Sequence, residues 1–272
     1  MDTFANSMLP TDDVALNRTF LQQGYLVVDV EDRAGLERLR LAIATLAAGH
    51  LGVELPDDTD GFLNGIHEYV SIADLNALRM AVIAGINDEP WLRETYYGLA
   101  RSVLDTIVGN ELVMQRRVNL SMQLPNDDSS LLPVHSDVWD GDSPFEVVVW
   151  LPLVDCYKTK GMYILPPSAN AVHGAALKDF ANKTTDDVLA AIGPDLDWPE
   201  LPFGKVLVFT QTLMHGNQIN EEPESRWSMN CRFKSLFSPF ADKPMGEFFE
   251  PITIRAATRF GMDYQLPDGF DE

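Results

Sequence analysis

The chain has 272 residues, 46% of them hydrophobic, and a formal net charge of −21, which disfavours nucleic acid and anionic membrane as partners because long-range repulsion opposes encounter. Its two cysteines, Cys156 and Cys231, sit in apolar sequence and read as small buried thiols, too few for a disulfide framework or a thiolate zinc site. There is no run of about 18 apolar residues to span a membrane, and the opening MDTFANSMLPTDD lacks the features of a secretory leader, so a cytoplasmic location is expected.

Without an internal repeat or a low-complexity linker, residues 1–272 read as one domain: 1–111 mainly helical, 112–240 a sheet core, 241–272 a C-terminal extension. Asp12 or Asp13 can cap a first helix that runs to about Gln23 and ends at Gly24, with a short β-rich run at 25–30. Residues 32–50 place Leu36, Leu39, Ile43 and Leu46 among charges at helical spacing, and further helices are predicted over 72–86 and 90–108. From about Leu112 the pattern changes to short β-branched and aromatic runs at 113–124, 145–154, 162–165, 205–210 and 226–233, interrupted by a helical insertion over 172–192. Helices followed by strands indicate an α+β fold built on an antiparallel sandwich or barrel. The acidic pairs Asp57-Asp58 and Asp127-Asp128 read as solvated loop.

Three pieces of sequence carry chemistry. In Val134-His135-Ser136-Asp137 an extended backbone points His135 and Asp137 the same way, so that they can share one cation. His215 follows the apolar strand candidate 205–210 and can complete a two-histidine, one-carboxylate face, a donor set that leaves three positions on iron open. Arg226 stands beyond ten intervening residues and is followed by Trp227 and Ser228; within 226–233, Arg226, Ser228, Asn230 and Arg232 alternate with Trp227, Met229, Cys231 and Phe233. A guanidinium and a hydroxyl two residues apart on a polar strand face can hold a carboxylate.

The combined pattern, H-x-D followed by H-x10-R-x-S, resembles the Fe(II)/2-oxoglutarate-dependent dioxygenase superfamily. The segment 124–166, with LLPVHSDVWDGDSPFEVVVWLPLVDCY, is similar to phytanoyl-CoA-hydroxylase-like oxygenases of bacterial carbohydrate and aminosugar gene clusters. The resemblance implies a double-stranded β-helix (jelly-roll) core with the N-terminal helices packed outside it. It also implies Fe(II) on His135, Asp137 and His215, 2-oxoglutarate on Arg226 and Ser228, and dioxygen as the other co-substrate. Asp137 keeps the carboxylate that halogenating relatives lack, so hydroxylation of a small molecule is the activity implied, and the narrower resemblance implies a sugar or aminosugar derivative as that molecule.

Other residues follow from the same patterns. Asn119, Ser121 and Gln123 form the polar face of a second strand and are candidates for 2-oxoglutarate or substrate contacts, while Trp139 can wall a substrate pocket and Lys160 and Arg232 can meet an anionic group of the substrate. His50, His67 and His173 are expected to be structural. Two other functions fit parts of the pattern: a catalytically idle metal-binding jelly-roll sensor, which gains nothing from open metal positions, and a zinc hydrolase, which leaves the Arg226-x-Ser228 spacing unexplained.

Overall fold

The alternation at 226–233 becomes the central strand of the molecule. In the computed structural model, which describes residues 7–180 and 184–267, β8 (Arg226–Ser235) pairs along one edge with β4 (Glu146–Pro152) and along the other with two shorter strands in succession, β3 (Asn119–Gln123) and β2 (Leu112–Gln115). β6 (Lys205–Thr210) and β1 (Tyr25–Asp29) extend the sheet beyond β4, and β9 (Phe249–Pro251) extends it beyond β2, all neighbours antiparallel. The sheet therefore draws the strands at its two ends, β1 and β9, from outside residues 112–240. A second, two-stranded sheet joins β5 (Tyr163–Ile164) to β7 (His215–Gly216).

The helices are α1 (Thr11–Gln23), α2 (Arg33–Leu51), α3 (Thr59–Asn64), α4 (Ile72–Asn87), α5 (Leu92–Gly98), α6 (Arg101–Ile107), α7 (Pro167–Ala175), α8 (Thr185–Ile192) and α9 (Ala256–Asp263). Those that precede the sheet core cover one face of the large sheet: α3 packs on β8 and α4 on β3. The apolar half of β8 faces them, with Trp227 fully buried and its indole Nε1 donating to the Leu63 carbonyl at 2.9 Å. Tyr96 of α5, also fully buried, donates to the Val149 carbonyl of β4 at 2.9 Å. Each such aromatic contributes about 1.5–3 kcal/mol by burial, and together they leave the polar half of β8 turned to the other side. Among the described residues no helix is long and apolar enough to cross a membrane.

Several elements differ from the sequence reading, for local reasons. The helix expected over 90–108 is two: the Glu31 carboxylate accepts from Ser102 N at 2.8 Å and Ser102 Oγ at 2.9 Å, capping a fresh start at α6. The run 113–124 is likewise two strands, because the Asn87 side chain bonds both the N–H and the carbonyl of Val118, each at 2.9 Å, in place of a ladder partner. α1 begins one residue before Asp12, which lies with Asp13 inside its first turn instead of capping it; Gly24 ends it in the left-handed conformation, φ 73°. The insertion over 172–192 starts earlier, at Pro167, and comprises α7, a 3-10 turn at Leu177–Phe180 and α8; its residues 181–183 lie outside the described residues. Asp127 is not solvated: it is fully buried and accepts from Ser129 N at 2.8 Å and Ser129 Oγ at 2.6 Å.

Candidate metal centre and its cavity

The small sheet brings the two histidines together. His135 and His215 exchange backbone hydrogen bonds, His135 N to His215 O at 3.0 Å and His215 N to His135 O at 2.8 Å, an antiparallel pair that sets both side chains on one face. Their ring centroids are 4.4 Å apart. Each imidazole is fixed in the same manner: His135 Nδ1 donates to the Pro133 carbonyl at 2.8 Å and His215 Nδ1 to the Leu213 carbonyl at 2.9 Å. A carbonyl can only accept, so Nδ1 carries a proton on both rings, which leaves Nε2 as the atom each could offer a metal. Asp137, two residues beyond His135, opens a 3-10 turn (Asp137–Asp140) and sets Oδ1 3.6 Å from His135 Nε2. One donor atom from each of the three residues lies within 4.8 Å of the others.

Electrostatics keep Asp137 and His215 in ligating form, while His135 retains its proton more readily. Burial raises the Asp137 carboxyl, but the hydrogen bond from His135 and the charge of Arg232 outweigh it and hold the group at about 2. Burial pushes His215 down to about 4, so it is neutral near pH 7. For His135 burial acts downward, but the bonds to Asp137 and to the Pro133 carbonyl win and raise it; with the carboxylate beside it, a cation would displace this proton. Two neutral imidazoles and one carboxylate are the donor set that suits Fe(II), Co(II) or Ni(II), so the residues fit the metal implied by the sequence pattern.

The triad lies at one wall of a cavity of about 230 Å³ between the two sheets, with Arg226, Ser121, Asn119, Asn230, Val148 and Trp150 of the large sheet among its other lining residues. Arg226 is 3% exposed; its Nη1 donates to the Gly161 carbonyl at 3.0 Å and its Nη2 to Ser121 Oγ at 3.2 Å, while Nε has no partner. Among the described residues no carboxylate is ion-paired with it, and burial lowers its pKa. A buried guanidinium with neutral partners and an unused N–H invites an anion. Ser228 Oγ, buried on the same strand face but not among the residues that line the cavity, is also without a partner among the described residues.

The remaining sequence candidates divide. Asn119, Ser121 and Arg232 line the cavity with Arg226 and the triad. Gln123 is behind it, fully buried, donating to the Gln218 carbonyl at 2.8 Å and accepting from Asn217 Nδ2 at 3.3 Å, a brace for the segment after His215. Trp139 is 48% exposed and Lys160 is fully buried, its Nζ on Asn64 Oδ1 at 2.6 Å and Glu224 Oε2 at 2.7 Å; neither lines the cavity. His67 bonds Ser225 Oγ at 3.0 Å and His173 bonds Asp195 at 2.8 Å, both away from the triad. Residues not singled out from sequence also take part. Asn230 was visible in the β8 alternation, but the buried carboxylate Asp142 and the buried amide Gln211 carry no local signal.

No protein-family model matches the chain, and no curated protein matches it. Solved structures match in fold. EctD from S. alaskensis in its apoform superposes with a TM-score of 0.56 at 17% identity, covering 88% of this chain and 81% of that one. HygX from Streptomyces hygroscopicus with nickel and 2-oxoglutarate bound gives 0.51 at 16% identity, covering 92% and 94%. The non-heme monooxygenase ThoJ in complex with nickel gives 0.51 at 16% identity, covering 88% and 84%. At these identities the likeness is one of fold.

Proposed function

We propose that this chain is a cytosolic Fe(II)- and 2-oxoglutarate-dependent oxygenase that hydroxylates a small molecule, with residues 1–272 acting as one catalytic domain and the two sheets as the halves of a double-stranded β-helix. The observation that carries the reading is a single cavity with the His135/Asp137/His215 cluster in its wall and, in the same lining, Arg226, which among the described residues has no ion-paired carboxylate. A zinc hydrolase has no use for the second feature.

When bound, iron with 2-oxoglutarate and dioxygen supplies the oxidation: the keto acid loses CO2 and takes up one oxygen atom to become succinate, and the other oxygen enters a substrate C–H bond as hydroxyl. The protein's own part is to hold and shield. His135, Asp137 and His215 would carry the metal, and Arg226 with Ser228 would take the distal carboxylate, with Ser121 steadying the guanidinium and Gln123 bracing the wall behind it. Asn119 Nδ2 donates to Asn230 Oδ1 at 3.2 Å, which leaves the Asn119 carbonyl and the Asn230 amino group to the cavity, where they can bond a hydroxyl-rich ligand. That lining, the phytanoyl-CoA-hydroxylase-like character of 124–166 and a solved HygX structure that holds hygromycin B beside nickel and 2-oxoglutarate support a sugar or aminosugar derivative as substrate.

Anaerobic titration of the purified protein with Fe(II) and then 2-oxoglutarate tests this. A weak visible charge-transfer band is expected only when both are present; a protein that binds metal without chelating the keto acid shows none. Succinate release with nucleotide sugars and aminosugars, followed by product mass, then identifies the substrate.

A further inference from the structure

The three triad residues are not held alike. Both histidines are tied by backbone pairing and by an Nδ1–H to a carbonyl two residues back. Asp137 has no such tie among the described residues: there its carboxylate meets His135, whose Nε2 a metal would claim, and the guanidinium of Arg232, whose Nη2 lies 3.2 Å from Asp137 Oδ1. Arg232 is itself fixed on every side. Its Nε is 3.2 Å from Asp142 Oδ1 and donates to Gln211 Oε1 at 3.2 Å, its Nη1 donates to Gln115 Oε1 at 3.4 Å, and Asp142 is further paired with Lys243. Gln211 Nε2 in turn donates to Glu146 Oε2 at 2.7 Å, and its backbone carbonyl accepts from Oγ of Ser136, between the two ligands, at 2.8 Å.

From this we infer that Arg232 is a positioning residue for the metal carboxylate and not a substrate anchor. The inference rests on the triad reading above. Two carboxylates, Asp137 and Asp142, already neutralise Arg232, so it has little charge to offer an anionic substrate, in contrast to Arg226 on the same strand face. By holding Oδ1, the oxygen 3.6 Å from His135 Nε2, it fixes the turn of the Asp137 carboxylate toward His135. A carboxylate so fixed would meet a metal in one set orientation, whereas one free to turn would not.

Co(II) serves as the probe, titrated into the full-length protein and followed by its visible d–d bands, whose position and intensity report coordination. Arg232→Ala is expected to weaken Co(II) binding by about 10–100-fold, the range for loss of an outer partner of a metal ligand, and to alter the band intensity. Millimolar guanidinium should restore part of both. Arg232→Lys, which keeps the charge but not the planar fork, should fall between. Either variant binding Co(II) with wild-type affinity and spectrum overturns the proposal, as does unchanged binding with a raised substrate KM. A lysine variant that does not fold, by circular dichroism, makes Arg232 a strut of the fold and overturns it too. A wild-type chain that takes up no Co(II) sinks the metal-site reading itself, a result distinct from any difference between variants.

Discussion

The large sheet and the small one reach the same cavity by different means. Seven strands, a face covered by helices and a fully buried Trp227 and Phe233 make the large sheet a rigid wall, and it presents Arg226, whose partners are neutral. The small sheet has two residues in each strand, yet it and its bridge to His135 carry both histidines. Its precision comes from short-range hydrogen bonds, two between backbones and two from imidazoles to carbonyls, in place of a packed ladder. Under the proposed function, anion recognition would fall on the scaffold and metal recognition on a locally braced ribbon, so that the two can be perturbed separately.

The largest separation is expected from His215→Ala. It removes a donor from the ribbon and should abolish metal retention, measured by metal analysis after desalting, while the large sheet keeps its circular dichroism; retained metal and undiminished succinate production would refute the role of His215. Arg226→Ala acts at the other wall. Loss of a charge-assisted clamp worth about 1.5–3 kcal/mol per bond should raise the 2-oxoglutarate requirement by roughly 100-fold and leave metal content nearly intact. Equal loss of metal would erase the distinction between the two walls.

A smaller effect appears in the pH dependence of the metal-free protein. His215 is pushed down to about 4 from 6.5; between those values the unfolded chain binds a proton that the native one does not, so this residue makes stability rise with pH. Glu146, pushed up to about 7 from 4.5 chiefly by burial and helped by the charge of Asp142, has the opposite sign: the native state holds the proton in that window, so stability falls as pH rises. The two oppose each other in wild type. Glu146→Gln removes the second, and thermal melts should then show the variant gaining roughly 2 kcal/mol over wild type as pH is raised through the shared window. A pH profile unchanged by the substitution would rule out the buried-glutamate account. The smallest effect belongs to Trp139→Ala: at an exposed site outside the cavity lining, it should change stability by no more than about 0.5 kcal/mol and leave metal binding alone, so a shift in substrate KM would be its only visible trace.

Much of this site was legible before any coordinates. The period-2 alternation in 226–233 and 119–123 identified polar strand faces, the H-x-D triplet identified two side chains pointing one way, and Gly24 marked the end of the first helix, since each is a property of neighbouring residues and backbone geometry. Long-range placement was not legible. That Lys160 is sealed against Asn64 and Glu224, that Asp127 is buried, and that Glu31 and Asn87 interrupt a helix and a strand depend on partners far along the chain.

The amino-acid sequence by itself determined which residues could serve as donors and which face of each strand they occupy, because alternation is written into adjacent positions. Only the tertiary structure decided which of those faces meet. Sheet register sets His135 against His215 and turns Arg232 onto Asp137 while Arg226 keeps only neutral partners, and register depends on the packing of many side chains at once, which no single segment encodes.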